Sequence, residues 1–421
     1  MKRIVILCYD FPPLNSIGGQ RPYSWYQHFK SFGLYPIVIT NNWTKANHIN
    51  NEVLKEEAGE IHYIKSSKSI VDKRLLNPKK KGWVILRKII SFLNAFLKFN
   101  YSKIDKTYNL YDYTRSFINK NNVDYLLVSG EPFILFKYGY QLSGQNNIPW
   151  FADYRDDWIY DHGRLNKGFL DKILKRYEAI YEKKYLKTSS GYSTVSGYIL
   201  NDIQKRINCK NNIIIENGVE LNYLENGKLI LNQDDFNIVY TGRFYECSYI
   251  QTFKNGFEQL MKSVDNSKIK IFFVGVEKWK CNPYFEVLKI KNKYPNNVEI
   301  INTVDIQTAT NYQLSATILL NFIAGDPSKG LIGAKAYSYA ATKNPTLVIP
   351  EIANKNSPFF PNRDIQTIAV NEKQVFEFLN DKYAQHLQNV SLKTNITDNE
   401  INSLSRKSNA LKLSNFILNT C

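Results

Sequence analysis

Three groups of residues in this 421-residue chain are spaced for chemistry. The first is Gly18-Gly19 with Arg21, in the run YDFPPLNSIGGQR that leaves an apolar strand and enters a helix. Amides at a helix start lack partners and sit at the positive end of the helix dipole, and glycine lets a phosphate approach closely. The pair is therefore a candidate phosphate cradle, to which Arg21 adds a charge-assisted contact. A bare turn needing positive φ explains the same two glycines. The second group is Asp153, Arg155, Asp156 and Asp157 in PWFADYRDDW. Carboxylates at a strand end can hold the hydroxyls of an acceptor substrate, with Arg155 orienting one of them or meeting a phosphate; a structural Asp–Arg network is the alternative. His162, six residues beyond Asp156, reads as a packing or surface histidine. The third group is the segment KKKGWVILRKIISFLNAFLK, residues 79–98. Apolar residues at 86, 89, 90, 93, 96 and 97 follow helical spacing, and Lys79, Lys80, Lys81, Arg87, Lys88 and Lys98 supply positive charge. That pattern suits an interfacial helix on an anionic membrane surface, with Trp83 at headgroup level, or a helix packed on a sheet.

These groups need a scaffold, and the chain supplies one of strands alternating with helices. Ile4 to Tyr9 is a continuous apolar run of the kind a parallel strand buried on both faces requires. A loop to Gln20, a helix with Pro22 near its first turn and Gly33 past its end, and the strand YPIVIT complete a βαβ unit. The same grammar recurs at VDYLLVSG, PWFADYRDDW, GYSTVS and NIIIEN. A polar stretch from about Glu220 to Asp235 interrupts it, and it restarts at FNIVYTGRF, IKIFFVG, NNVEIIN, TILLNF and TLVIP. We expect two α/β domains with mainly parallel sheets, at 1–222 and 235–395, with a weakly amphipathic C-terminal helix at 401–418 able to pack back on either. In such sheets ligands bind beyond the C-terminal strand ends, so a central cleft faced by both sheets is the expected site.

Composition narrows the classes. The five cysteines include no CxxC pair, which indicates a reducing compartment, and the first apolar run is too short for a signal peptide. No stretch approaches the roughly 20 apolar residues of a spanning helix, so a cytoplasmic protein is expected. The net charge of +17 is uneven: residues 1–200 carry 30 Lys and Arg against 17 Asp and Glu, residues 201–421 carry 25 against 21. An anionic membrane, a nucleic acid or plain solvation accounts for a basic half, and no nucleic-acid module accompanies the charge. A nicotinamide-dependent enzyme is disfavoured because the first loop is not GxGxxG.

YDFPPLNSIGGQR resembles the opening of retaining GT-B glycosyltransferases, the nucleotide-sugar family that includes sucrose synthases and bacterial polysaccharide enzymes. IPWFADYRDDW resembles a segment of one bacterial branch, and SGEPF, STVSGYI, IENGVE, IVYTGRF and GAKAYSYAATKNPTLVI follow in the family's order. The resemblance covers nearly the whole chain and implies a GT-B fold of two Rossmann-like domains. It makes Gly19 an amide facing the donor diphosphate, Arg243 the diphosphate-binding arginine and Lys335 a lysine facing the nucleotide; a surface ion pair is the alternative for Arg243 and a solvated helix lysine for Lys335. It also exposes departures. Two family glutamates, counted back from Pro345, fall here on Ser338 and Gly330, leaving Ser338 for the ribose and Asp326 as a substitute for the sugar-binding acid. The place of the family lysine five positions beyond the arginine is taken by Ser248, so Lys254 or nothing replaces it.

The expected function is transfer of a sugar from a nucleotide-sugar donor to a glycan or polyprenyl-linked glycan, in bacterial cell-surface polysaccharide synthesis and with retention. Asp153, Arg155 and Asp156 would be catalytic, and Gly18, Gly19, Arg21, Arg243, Asp326, Lys335 and Ser338 donor-binding. No DxD-type string is placed to hold a metal, so neither metal nor other cofactor is expected. Peripheral attachment to the inner face of the cell membrane would use Lys79, Lys80, Lys81, Trp83, Arg87 and Lys88. The alternative is a catalytically silent GT-B protein that binds a sugar nucleotide or a partner enzyme.

Overall fold

The computed structural model describes residues 1–14, 16–43, 58–67, 81–159, 169–207, 209, 211–244, 250–276, 282–323, 333–350 and 365–421. The chain divides into two compact units, one of Met1–Glu216 with Asn409–Cys421 and one of Asn217–Ser408.

Unit 1 holds seven strands: β1 (Lys2–Leu7), β2 (Leu34–Asn41), β3 (Glu60–Ile64), β4 (Tyr125–Ser129), β5 (Trp150–Tyr154), β6 (Gly191–Thr194) and β7 (Asn212–Ile214). They pair in the order β3-β2-β1-β4-β5-β6-β7, every pairing parallel. β1 and β4 are buried along nearly their whole length because helices cover both faces, as their uninterrupted apolar sequences require. Ile4, Ile6, Phe11, Trp25, Leu127 and Phe151 form one core layer, and Ala410, Leu413 and Ile417 of the C-terminal helix fill it from the far end of the chain. The expected single helix at 401–418 is two, Asp398–Ser403 and Arg406–Thr420, the first closed by a Thr397/Glu400 capping box.

Unit 2 repeats the plan with β8 (Phe236–Thr241), β9 (Ile269–Val274), β10 (Val298–Ile301), β11 (Ile318–Ile323), β12 (Thr346–Pro350) and β13 (Gln366–Ile368), ordered β10-β9-β8-β11-β12-β13 and all parallel. Alternate residues of β8 supply opposite layers: Ile238 and Tyr240 join one core cluster, Val239 the other. Strand order reverses between β1 and β4 in the first sheet and between β8 and β11 in the second. Beyond those two reversals lie the loops that matter, since neighbouring connections leave there to opposite faces and open a crevice.

Candidate functional site

In unit 1 the loop after β1 runs into the helix Ile17–His28. Ser16 caps that helix, its Oγ accepting from the Gly19 amide at 3.0 Å, so the helix begins five residues before Pro22 and both glycines lie in its first turn. Neither has positive φ. They are glycines for a different reason: a Cβ on Gly18 would run into the Arg155 guanidinium and the Asp10 carboxylate, and one on Gly19 would press on the Phe11 backbone at 3.1 Å. The Gly19 amide expected to face a diphosphate is thus engaged by Ser16, and the surface of Gly18 is covered by Arg155.

Arg155 leaves the end of β5 and is 12 % exposed at its side chain. Its Nη2 donates to Glu131 Oε2 at 3.1 Å from the loop after β4, where Glu131 holds a left-handed φ of 65°. Asp10, largely buried, also accepts from Ser16 Oγ at 3.3 Å. Burial raises the Asp10 carboxyl above the usual range against the pull of Arg155 and Ser16. Asp10, Arg155 and Glu131 therefore converge from β1, β5 and β4 at the reversal point of the first sheet.

Two expectations are corrected here. Arg21 is 4 % exposed and has no face left for phosphate. Its Nε and Nη2 donate to Asp153 at 2.7–3.1 Å, and its Nη1 donates to the Ile215 and Glu216 carbonyls at 2.7 and 3.0 Å. Asp153 is fully buried and also accepts from Ser193 Oγ at 2.7 Å and Ser129 Oγ at 3.3 Å, so it is the structural network rather than a carboxylate open to an acceptor. Asp157 is likewise consumed, by Arg206 at 3.0 Å and the Ile159 amide at 2.7 Å. Asp156 stands partly exposed between them. Asp10 and Glu131 went unnoticed in the sequence; the signal for each was its position at the end of an apolar strand, beside proline-containing loops.

In unit 2, β8 is followed directly by Gly242, whose φ of 107° only glycine adopts without strain. Lys335 fills the space a side chain at 242 would need: a Cβ there would lie 2.6 Å from its Cε and 2.8 Å from its Nζ. The ammonium donates to Tyr240 Oη at 2.8 Å and rests 4.2 Å from the centre of the Tyr240 ring. Among the described residues it has no carboxylate partner, and burial lowers it from 10.5 to about 7. Lys335 also lies at the start of the helix Ala334–Ala341, the end at which the helix dipole disfavours a cation, and the Gly333 cap offers that helix no side-chain acceptor. Cation, open helix start and left-handed glycine together suit a phosphate group. The strand end is fixed by a buried chain: Thr241 N donates to Tyr339 Oη at 3.0 Å and Gln313 Nε2 donates to Thr241 Oγ1 at 2.9 Å.

Arg243 follows Gly242 and is exposed; its carbonyl accepts from Tyr240 Oη at 2.6 Å. Lys335 and Arg243 thus share the end of β8. Ser338 donates its hydroxyl to the Lys335 carbonyl at 3.0 Å, one turn back on the same helix. Lys254 pairs with Glu286 at 3.0 Å across two outer helices, so it does not stand in for the missing lysine. Asp326, Gly330, Ser248, His162, Lys79 and Lys80 lie outside the described residues, as do the side chains of Lys81, Trp83, Arg87 and Lys88. Among the described residues no cluster of three His, Cys, Asp or Glu could hold a metal ion.

No protein-family model matches the chain, and no curated protein matches it by sequence. Solved structures do match along its whole length. A sucrose-phosphate synthase from Thermosynechococcus elongatus superposes with a TM-score of 0.66 at 13% identity, over 100% of this chain and 99% of that one. A glycosyltransferase from Rickettsia africae gives 0.63 at 15%, over 99% and 97%. The chain has the GT-B fold. A Listeria monocytogenes protein assigned as a UDP-N-acetylglucosamine 2-epimerase shares that fold, at 0.58 and 8% identity over 98% and 95%. In the GT-B frame, the loops carrying Asp10 and Arg155 belong to the N-terminal unit and those carrying Arg243 and Lys335 to the C-terminal one.

Proposed function

We propose that this GT-B chain is a glycosyltransferase that takes a sugar from a nucleotide-sugar donor and passes it to a hydroxyl of a glycan. One observation carries the reading: Lys335, a half-buried lysine packed over Gly242 with no carboxylate partner among the described residues, shares the end of β8 with the exposed Arg243. Such a pair is suited to a diphosphate, whose oxygens would supply the counter-charge that Lys335 lacks among the described residues. The likeness to a sucrose-phosphate synthase, a glycosyltransferase and a UDP-sugar epimerase supports a sugar diphosphate over other anions.

In the proposed reaction the bond between the anomeric carbon and the diphosphate oxygen breaks, a bond from that carbon to the acceptor hydroxyl oxygen forms, the hydroxyl proton leaves with the departing diphosphate, and Lys335 and Arg243 neutralise the charge that develops on that leaving group. The work is done by these cations, so no metal is required, and chelation with EDTA should leave turnover intact. The acceptor would be oriented in unit 1 by Arg155 and Asp10, with Asp156 at the rim. Retention of configuration is supported by the sequence resemblance, as is a place in bacterial cell-surface polysaccharide synthesis at the inner face of the membrane. A lipid-linked glycan acceptor is favoured by the basic N-terminal half.

A second reading, a silent binder, is favoured by the absence of a carboxylate at 338 and by the Ser338 hydroxyl being turned to its own helix. The deciding experiment measures thermal shifts with UDP-glucose, UDP-N-acetylglucosamine and GDP-mannose, then follows each ligand that binds by NMR with and without glycan acceptors. Acceptor-dependent release of nucleoside diphosphate supports transfer. Binding without turnover leaves the silent reading, isomerised donor without acceptor identifies an epimerase, and no binding at all removes the diphosphate site.

A further inference from the structure

We propose that unit 1 docks on an anionic lipid leaflet through a surface made by two helices, Lys81–Asn100 and Phe169–Leu186, with the groove between them taking lipid hydrocarbon. The inference deepens the membrane part of the function proposed above and rests on it. The first helix turns Leu86, Ile89, Leu93, Phe96 and Leu97 to solvent, and the second turns Phe169, Ile173 and Ile180. Positions 86, 89, 93 and 97, and 169, 173 and 180, recur at helical spacing, so each set is a stripe rather than scattered residues. The helices are locked together below the stripes: Phe96 stacks on Tyr177 at 4.6 Å, Phe99 on Tyr181 at 5.0 Å, and Asn100 Nδ2 donates to Tyr177 Oη at 2.7 Å. A groove of about 200 Å³ between them is lined by Phe92, Leu93, Phe96, Ile173, Leu174 and Tyr177. Exposed apolar side chains so grouped mark an interaction site.

Charge selects the occupant. The two helices carry nine basic residues and three acidic ones, and two of the acids, Glu178 and Glu182, are 1 % and 0 % exposed. Lys172, Arg176, Lys183 and Lys184 are exposed, so the described rim is cationic. A second copy of the chain would bring the same cations against these and be repelled, whereas a leaflet bearing anionic headgroups satisfies the rim while its hydrocarbon covers the stripes. No helix among the described residues is long and apolar enough to cross a membrane, and docking of this kind needs none. The surface adjoins the candidate acceptor loop. Trp158, three residues after Arg155, lies against Phe99 of the first helix at 5.7 Å and stacks on Phe133 at 5.3 Å. A lipid-linked acceptor would thus have its lipid and its reacting end served by one unit.

The test is cosedimentation of the full chain with phosphatidylcholine vesicles, with and without phosphatidylglycerol. Binding should require phosphatidylglycerol and fall as salt shortens the Debye length from about 10 Å at 0.1 M to about 3 Å at 1 M. Ile173→Ser with Ile180→Ser should cut the bound fraction about tenfold, and Lys172→Gln with Arg176→Gln should weaken it further in low salt than in high. Both pairs are on the surface, and unchanged melting temperatures and UDP-glucose binding confirm that the variants are folded. Equal binding to neutral vesicles, or variants that bind as well as wild type, would overturn the proposal. So would a dimer in light scattering that the Ile173/Ile180 pair abolishes, which assigns the surface to a second copy. Vesicle binding that persists in a protein unable to bind UDP-glucose would sink the donor reading and leave this one standing.

Discussion

Lys335 Nζ lies 2.8 Å from the Tyr240 hydroxyl, and no carboxylate among the described residues shares it. Burial holds this ammonium at about 7, against 10.5 for an ordinary lysine. Below about 7 both folded and unfolded chains carry the proton and the cost of enclosing the charge is at its full value. Between about 7 and 10.5 only the unfolded chain carries it, so this group makes unit 2 more stable as pH rises through that window. Binding runs the other way. A diphosphate favours the charged lysine, so UDP-glucose should bind best below about pH 7 and lose up to about tenfold per unit above it, with proton uptake in calorimetry. Lys335→Met should remove both the slope and the proton uptake.

Arg243→Ala should raise the UDP-glucose Kd by roughly tenfold, about 1.4 kcal/mol, through loss of a charge-assisted contact. The side chain is exposed and the Tyr240 hydroxyl bonds the Arg243 carbonyl, which the substitution keeps, so stability should change less than affinity. Titration calorimetry and a melting curve on the same sample check both halves; an unaltered Kd would move the diphosphate elsewhere.

Asp153→Asn should act on folding. It leaves Arg21 enclosed without its counter-charge, a loss of about 3–5 kcal/mol for a buried pair. Urea unfolding should show that loss in unit 1 while UDP-glucose affinity stays within twofold, a roughly 0.4 kcal/mol margin. Loss of acceptor use with undiminished stability would return Asp153 to the catalytic list.

Gly18→Ala separates the acceptor group from the donor group. A Cβ at 18 occupies the place of the Arg155 guanidinium and should drive it off Asp10. Turnover should fall by about 10–100-fold, the range of a lost positioning contact, with the UDP-glucose Kd unchanged. Asp10→Asn should reproduce the effect without a steric change. Parallel loss of donor binding in both variants would show that this end of unit 1 meets the nucleotide instead.

The two-sheet architecture was legible because strands buried on both faces must be predominantly apolar, as in β1, β4, β8 and β11, the last two interrupted only by the buried Asn237 and Asn321. The edge strands β3 and β13 were missed: Glu60–Ile64 mixes charge with apolar residues, and Gln366–Ile368 has too few residues to show a period. Pro22 misplaced the first helix, whose start is set instead by the Ser16 side chain. Arg21 shows the deeper limit. Beside two glycines at a helix start its type is compatible with phosphate, and only Asp153, 132 residues away in sequence, decides against it. For Lys335 the resemblance supplied the position, while its contacts with Tyr240 and Gly242 are made only by the fold.

The C-terminal helix has a consequence for synthesis. Ala410, Leu413 and Ile417 complete a core that Ile4 and Phe151 begin, and Phe416 packs on Phe151 at 5.8 Å. A nascent chain emerges in order, so all of residues 217–408 leave the ribosome before those side chains do. Unit 2 can close on its own segment as it appears, in the manner of domains folding in turn. Unit 1, first to be translated, is the last to be sealed, and until then the face of Phe151 that Phe416 will cover stays open to whatever apolar surface it meets.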